Sequence, residues 1–498
     1  MNNLLFRRQY LLCNKDINID AAWKKVRLSK IGLPFFLNVH PDLEFYQAVR
    51  EDIEVILLGF IIDPYNPMHS SQDILKELIS MTDYDKLLAR TETLSGRYAI
   101  IFNNATSVKL CHDATGFREI YFYNDSKTIA CGSTSNILAH YFEIPRDNDP
   151  EIVKFFESEV FNRFGRRWIG TRTVYKDIFH LLPNHYLDLI KGKQHRFWPV
   201  TRRMEISPRE AAKSIAEILT GTYDAATSRY KLHQGLTGGW DTRLLLAASR
   251  NYIDKIHFYF IRGMKSDIKL GNSPDYNISQ SIARTFNIPL EVVILDSESV
   301  DEEFKQVYYQ NNALSRRALL PAYYDSKIKK LDNTMTVAGS GSNETLRLLS
   351  TIHRNVTNSN TMAHDLGYGD FIYIKQAIDE WLEESLPLKN MNYHLIDLFS
   401  WEQHFGNWGS LSGSEQDIVR EELRPFNNRK LISTYNSLHD HNRYKDYPIG
   451  HVETIKLLWE ELLHFDMDMK LPGFKSFLRR FGVEQNADRL LQHIKLLR

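Results

Sequence analysis

Cysteine is scarce in this chain: Cys13, Cys111 and Cys131 are the only three in 498 residues, and no two form a C-x-x-C pair. So few thiols exclude a disulfide framework and a four-thiolate zinc site, and they point to a reducing, cytoplasmic setting. An excess of either charge is missing too. Lys plus Arg and Asp plus Glu both number 62, which gives no electrostatic ground for a nucleic-acid partner or an anionic membrane. Long apolar runs are absent. The longest, Val55 to Ile62, falls far short of the roughly 20 residues that span a bilayer. Met1 to Arg8 hold no apolar stretch of signal-peptide length and read as the start of a folded domain. What is present is the composition of a soluble globular protein, 43% hydrophobic and 25% charged, with a length that suits about two or three domains.

The first 200 residues are rich in strand signals. Val55 to Ile62 is a buried strand stopped by Asp63-Pro64. Tyr98 to Phe102 and Val108 to His112 flank Asn103-Asn104 as a hairpin, Ile120 to Tyr123 and Thr128 to Cys131 flank Asn124-Asp125, and Tyr186 to Ile190 pairs with His195 to Trp198. Short strands joined by tight turns imply stacked antiparallel sheets. Pro199 to Pro208 reads as a linker, and Ser207 with Glu210 caps a helix starting at Pro208. Beyond it, helices alternate with apolar runs at Lys255 to Ile261, Leu290 to Leu295 and Met335 to Ala338, the pattern of a helix-covered parallel sheet. The last 120 residues read as helical, with Trp381, Trp401, Trp408 and Trp459 for packing. The expected domains are 1–199 and 207–498.

Chemistry concentrates in Gly235-Leu236-Thr237-Gly238-Gly239-Trp240-Asp241-Thr242-Arg243. A strand end, paired glycines with hydroxyl residues and then an apolar helix make a phosphate cradle: the backbone approaches the anion closely and helix-start amides point at it. Thr237 and Thr242 add hydroxyls, and Asp241 suits a magnesium ion, which takes one or two carboxylates plus phosphate oxygens. The G-x-x-x-x-G-K-[ST] loop is absent. The stretch resembles the S-G-G-x-D-S pyrophosphate loop of ATP pyrophosphatases, with threonines for both serines. A second motif, Val337-Ala338-Gly339-Ser340-Gly341-Ser342-Asn343-Glu344, follows a strand, its Glu344 lying 103 residues after Asp241. Ligands of open parallel sheets bind outside the carboxyl ends of the strands, so both loops are expected to face one crevice.

Together the loops resemble those of the asparagine synthetase family, S-G-G-L-D-S followed by S-G-E-G-[SA]-D-E. Leu94-Ser95-Gly96-Arg97-Tyr98-Ala99 resembles that family's L-x-G-x-F-A strand, Asp113 to Tyr123 its D-R-x-G-x-x-P-L-Y-Y, and Arg424 to Leu431 its R-x-P-F-L-D-R-R-L. The resemblance covers most of the chain in order. It implies an α/β and α+β fold of two domains: an N-terminal-nucleophile-hydrolase-like antiparallel sandwich, then an ATP-pyrophosphatase (PP-loop) parallel-sheet domain with a helical C-terminus. The implied activity is ATP- and magnesium-dependent ligation, adenylation of a substrate carboxylate followed by attack of an amine or ammonia. ATP and pyrophosphate are expected on Leu236, Thr237, Gly238, Gly239, Asp241, Thr242, Gly339, Ser340 and Gly341, with adenine against Leu236 and Phe260. Asp241 and Glu344 are the expected metal ligands, and Lys470 the candidate for stabilising developing charge.

Two departures alter that picture. Glutamine-hydrolysing members carry a mature N-terminal cysteine at position 2, where this chain has Asn2, and Ala114 replaces the arginine after Asp113. An amide cannot act as the thiolate nucleophile, so glutaminase activity is not expected, as in β-lactam synthetase and the lasso-peptide cyclases. Ser340 and Asn343 replace a glutamate and an aspartate of the second loop, which weakens its hold on a cation. A nucleotide-binding or partner-binding pseudoenzyme and a tRNA-modifying PP-loop enzyme are the alternatives, the latter disfavoured by the charge balance. The expected partners are a small-molecule or peptide carboxylate and an amine donor, without nucleic acid or membrane, and a homodimer is left open. His439-Asp440-His441 reads as a solvated loop, Arg163, Arg166 and Arg167 as structural ion pairs, and Glu460 and Glu461 as the solvated face of a helix.

Overall fold

A computed structural model describes residues 4–81, 83–163, 166–262, 273–294, 300–312, 319–327, 334–346, 358–443 and 447–467. In the first half, the strands are β1 (Tyr10–Cys13), β2 (Lys24–Arg27), β3 (Phe36–Val39), β4 (Phe45–Arg50), β5 (Ile53–Ile62), β6 (Ser95–Asn103), β7 (Val108–His112), β8 (Tyr121–Asn124), β9 (Ile129–Gly132), β10 (Ile178–His180), β11 (His185–Asp188) and β12 (Lys193–Arg196). They form two antiparallel sheets, ordered β10-β8-β9-β1-β3-β2 and β12-β11-β7-β6-β5-β4. The three expected hairpins are β6–β7, β8–β9 and β11–β12.

Successive side chains of a strand point to opposite faces, and β5 shows the result. Ile56 and Leu58 enter the core between the sheets with Leu12, Leu37, Ala99 and Ile101. Val55, Leu57 and Ile61 pack outward under Ile74, Leu78, Leu87 and Leu88 from helices Ser71–Ser80 and Tyr84–Arg90. Helix Ser135–Phe142 covers the other sheet, with Ile137 and Leu138 against Leu11, Cys13 and Ala130. The layering is helix, sheet, sheet, helix. A strand buried on both faces reads as a continuous apolar run, which is why β5 is so conspicuous in the sequence.

The second half holds a parallel sheet of β13 (Lys231–Gly235), β14 (Ile256–Arg262), β15 (Leu290–Ile294), β16 (Thr334–Val337) and β17 (Glu421–Leu423), ordered β15-β14-β13-β16-β17. Helix Pro208–Arg229 precedes it, opened by a reciprocal capping box between Ser207 and Glu210. β17 corrects the expectation of an all-helical C-terminal stretch. Three residues carry no periodicity of their own, and they become a strand because β16 offers them an open ladder. Glu460 and Glu461 are exposed, on a 3-10 turn rather than an α-helix. Trp381, Trp401 and Trp459 are buried as packing residues, and the Arg167 guanidinium lies 4.3 Å over the Trp408 ring. No described helix is long and apolar enough to cross a membrane.

The segments that carry the family resemblance in the first half serve packing. The Asp113 carboxylate organises its loop by accepting from the amides of Phe117 and Arg118, both at 2.8 Å, and from Asn427 Nδ2 at 2.8 Å. Asn427 Nδ2 also donates to Gly96 O at 2.8 Å, and its Oδ1 accepts from the Thr115 amide at 3.0 Å. Trp401 Nε1 donates to Ala114 O at 2.8 Å. The Asn427 bonds tie the sandwich to the segment that follows β17, and the Trp401 bond ties it to the helical region that precedes β17.

Candidate functional site

In the sheet order, successive strands run outward from β13 through β14 to β15, and then the chain returns to the opposite side of β13 as β16. The reversal lies between β13 and β16, where open α/β sheets hold their ligands. β13 and β16 pair in parallel with Gln234 opposite Val337, so both glycine turns leave the sheet at the same edge.

After β13, Leu236 N donates to Tyr259 O at 2.9 Å. The chain then turns through Thr237, Gly238 and Gly239 into helix Trp240–Ala248. Gly239 caps that helix without a side-chain hydrogen bond. The threonine hydroxyls meet at 2.8 Å. Thr242 Oγ1 accepts from the Thr237 amide at 3.3 Å, and Thr237 Oγ1 accepts from the Gly239 amide at 3.3 Å. The Gly238 amide donates to the Asp275 carboxylate at the head of helix Pro274–Thr285. The amides of the turn are therefore taken up by side-chain oxygens of Thr237, Thr242 and, from another helix, Asp275. Asp275 escaped the sequence reading. Ser273-Pro274 marks a helix start in the sequence, but nothing local shows which loop that start meets.

The second turn begins where Ala338 N donates to Leu423 O of β17 at 2.9 Å. Gly339 abuts the first loop: a Cβ there would lie 3.4 Å from Asp241 Cβ and 3.8 Å from Thr242 Cγ2. Gly341 has φ +102°, and a Cβ there would come within 3.0 Å of Phe405 Cζ, so both conformation and space call for glycine. Ser340 is exposed at the tip and Ser342 is buried. The side chains of Asn343 and Glu344, and all of Lys470, lie outside the described residues. Leu236 and Phe260 are both buried, Phe260 edge-on to Tyr276 at 5.4 Å.

Asp241, in the first turn of its helix, keeps its side chain 24% exposed. Its Oδ1 lies 3.4 Å from Nε2 of the fully buried His451. His451 also reaches Ser342 Oγ at 2.9 Å, and its Nδ1 meets the Tyr435 hydroxyl. Arg243, buried on the same helix, donates to the carbonyls of Gly238 at 3.2 Å, Phe465 at 2.9 Å and Asp466 at 2.6 Å. It thereby braces the first turn against the segment after Trp459. Neither residue carries a local sequence signal: each is one polar residue among others in its helix, given its role by distant partners.

No group of three or more His, Cys, Asp or Glu among the described residues could hold a metal ion. A cage made wholly of protein ligands is thus not formed there. One partly exposed carboxylate beside a phosphate-type turn does fit magnesium, which fills most of its shell with water and phosphate oxygens. In the sandwich all three cysteines are buried. Burial pushes the Cys13 thiol up and the Cys111 thiol to about 12, and it lifts Cys131 well above its ordinary value. None is poised as a thiolate. His439 and His441 are exposed.

No family model matches the sequence, and no curated protein does. Among solved structures, the chain is similar to glutamine-dependent NAD+ synthetase from Acinetobacter baumannii (14% identity, 34% of this chain and 32% of that one, TM-score 0.21). It is also similar to glutamine phosphoribosylpyrophosphate amidotransferase from B. subtilis (11% identity, 61% and 63%, TM-score 0.23). A third is NH3-dependent NAD synthetase from Campylobacter jejuni (12% identity, 42% and 96%, TM-score 0.21). The chain thus spans about a third of the Acinetobacter protein and under two thirds of the B. subtilis one.

Proposed function

We propose that this chain is an ATP-dependent, amide-forming ligase of asparagine synthetase type, without glutaminase activity of its own. The observation that supports it is the contact between the two glycine turns: Gly339 faces Asp241 across the reversal point of the parallel sheet, within van der Waals range of a single added carbon. In this reading the antiparallel sandwich is a glutaminase-like scaffold with no thiol nucleophile, consistent with three buried, high-pKa cysteines.

The reaction has two steps. A substrate carboxylate oxygen attacks the α-phosphorus of ATP, forming a new P–O bond while the α–β bridge breaks and pyrophosphate leaves. An amine then attacks the activated carbonyl, AMP departs, and the nitrogen loses a proton to solvent. Thr237 and Thr242 exchange their mutual hydrogen bond for phosphate oxygens, and the amides of Gly238 and Gly239 turn from Asp275 and Thr237 to the same oxygens. Asp241 would hold the cation. Magnesium, when bound, neutralises charge on the leaving group. The chain's own part is to place and screen reactants, the main catalytic lever in phosphoryl and adenylyl transfer. ATP and Mg2+ are the cofactors of this reading, with a carboxylate and an amine donor as substrates.

The test is pyrophosphate release from ATP and Mg2+ with pooled carboxylates and amines. Wild type should release it, and Asp241→Asn should lose at least about 100-fold, as expected for removal of a transition-state charge contact. Equal rates, or no release from wild type, would overturn the ligase. The closed first turn favours a second reading, a nucleotide-binding protein without turnover, which ATP binding by calorimetry with no pyrophosphate release would support.

A further inference from the structure

We propose that His451 is a positioning residue for the Asp241 carboxylate, a hinge-pin between the two glycine turns; the inference rests on the nucleotide reading of that site. His451 is the third residue of helix Ile449–Trp459, whose packing against helices Pro208–Arg229 and Trp240–Ala248 makes it part of the rigid scaffold. Its imidazole bridges three elements. Nε2 faces Asp241 of the first turn at 3.4 Å and Ser342 of the second at 2.9 Å, and Nδ1 meets Tyr435 of helix Arg429–Asn436. Gly450 makes the last contact possible, since a Cβ there would sit 2.7 Å from Tyr435 Cζ.

The carboxylate selects the tautomer. An ionised Asp241 can only accept, so a bare Nε2 would set lone pair against anion. A hydrogen on Nε2 makes the same contact attractive and leaves Nδ1 to accept from the Tyr435 hydroxyl. With its hydrogen on Nε2 the ring donates to Ser342 Oγ at 2.9 Å and turns the same N–H edge towards Asp241 Oδ1 at 3.4 Å, while Nδ1 faces Tyr435. Such outer partners fix the orientation of a metal-binding carboxylate and govern its affinity. They also couple the turns, because Ser342 and Asp241 are held to one nitrogen.

The test measures ATP binding by calorimetry with Mg2+ and with EDTA, beside thermal stability, for wild type, His451→Leu, His451→Gln and Tyr435→Phe. His451→Leu should cut the magnesium-dependent gain in ATP affinity by about tenfold while metal-free ATP changes less than about twofold. Gln, which keeps a donor near the Nε2 position, should restore the gain to within about threefold. If His451→Leu does not fold, Tyr435→Phe carries the test with a selective loss of about threefold. Losses equal with and without magnesium, or no loss, would overturn the positioning role. Wild type that binds ATP with no gain from magnesium overturns this inference alone, and wild type that binds no ATP overturns the nucleotide reading with it.

Discussion

Arg97 of β6 grips the Asp417 carboxylate with both terminal nitrogens, at 2.5 and 2.9 Å, across the junction between the antiparallel sandwich and the parallel sheet. Glu421, the first residue of β17, completes the cluster, taking Arg97 Nη1 at 2.6 Å and Arg118 Nη2 at 2.6 Å. β17 pairs with β16, and β16 ends in the second glycine turn. The sandwich therefore holds the edge strand that supports half of the candidate site.

Breaking this cluster should be costly, because a buried charge left without its partner destabilises by about 3–5 kcal/mol. Arg97→Met is expected to show that loss in urea denaturation at pH 7. Burial alone would raise the Glu421 carboxyl, but Arg118, Arg97 and Arg8 hold it below its ordinary value, while burial keeps the neighbouring Asp417 carboxyl above its own. The folded Glu421 value lies below the ordinary 4.5, so its share of the stabilisation is complete above about pH 4.5 and is lost as pH falls below that, whereas the raised Asp417 contributes in the opposite sense. Arg97→Met should flatten that acid limb.

Glu119 behaves in the opposite sense. Burial raises its carboxyl to about 7, against the pull of hydrogen bonds from Ser414 and Tyr121. The folded protein holds a proton that the unfolded chain has released, so this contribution declines as pH rises from about 4.5 to 7. His180, 3.8 Å away, is driven by burial to about 3, and its contribution rises with pH between about 3 and 6.5. The two oppose one another where their ranges overlap. Glu119→Gln should leave the His180 trend uncovered, so that the variant gains on wild type as pH climbs from 5 to 7 in a series of thermal melts.

Two glycines separate function from stability. A Cβ at Gly339 makes only ordinary contact with Asp241, so Gly339→Ala should melt within about 2 °C of wild type yet lose ATP affinity by filling the space between the turns. A Cβ at Gly221 would fall 1.9 Å from Pro64 O in the sandwich. Gly221→Ala should cost about 1–3 kcal/mol by overpacking, with ATP affinity at 20 °C little changed. Equal behaviour of the two variants would contradict this division.

Asp275 sits on the Gly238 amide that a phosphate is expected to use. Asp275→Asn removes a like charge and weakens the internal bond. Inorganic pyrophosphate, titrated without magnesium, should bind several-fold tighter, in line with about 1 kcal/mol for one charge near the surface. Weaker binding would show instead that Asp275 assists the site.

Much of this arrangement was legible in the residues, and the reason is locality. The Ser207–Glu210 cap, the hairpin turns, the two-face burial of β5 and the Gly238-Gly239 turn after β13 each depend on a few neighbours in the chain. β17 was not legible, since three residues among helices become a strand only beside β16. Asp275, Arg243 and His451 were missed for a related reason: each looks like an ordinary helix residue until its distant partner is known.

The sequence by itself determined the alternation of strand and helix, the two glycine turns and the absence of a cysteine at position 2, because propensity, capping and backbone freedom act over a few residues. Only the tertiary structure decided that the turns touch, that Asp275 occupies the first of them, that His451 joins Asp241 to Ser342, and that Arg97 and Arg118 clasp Asp417 and Glu421. Those contacts join residues up to 324 positions apart, and a bond at that separation exists only after sheet order and domain packing have brought both ends together.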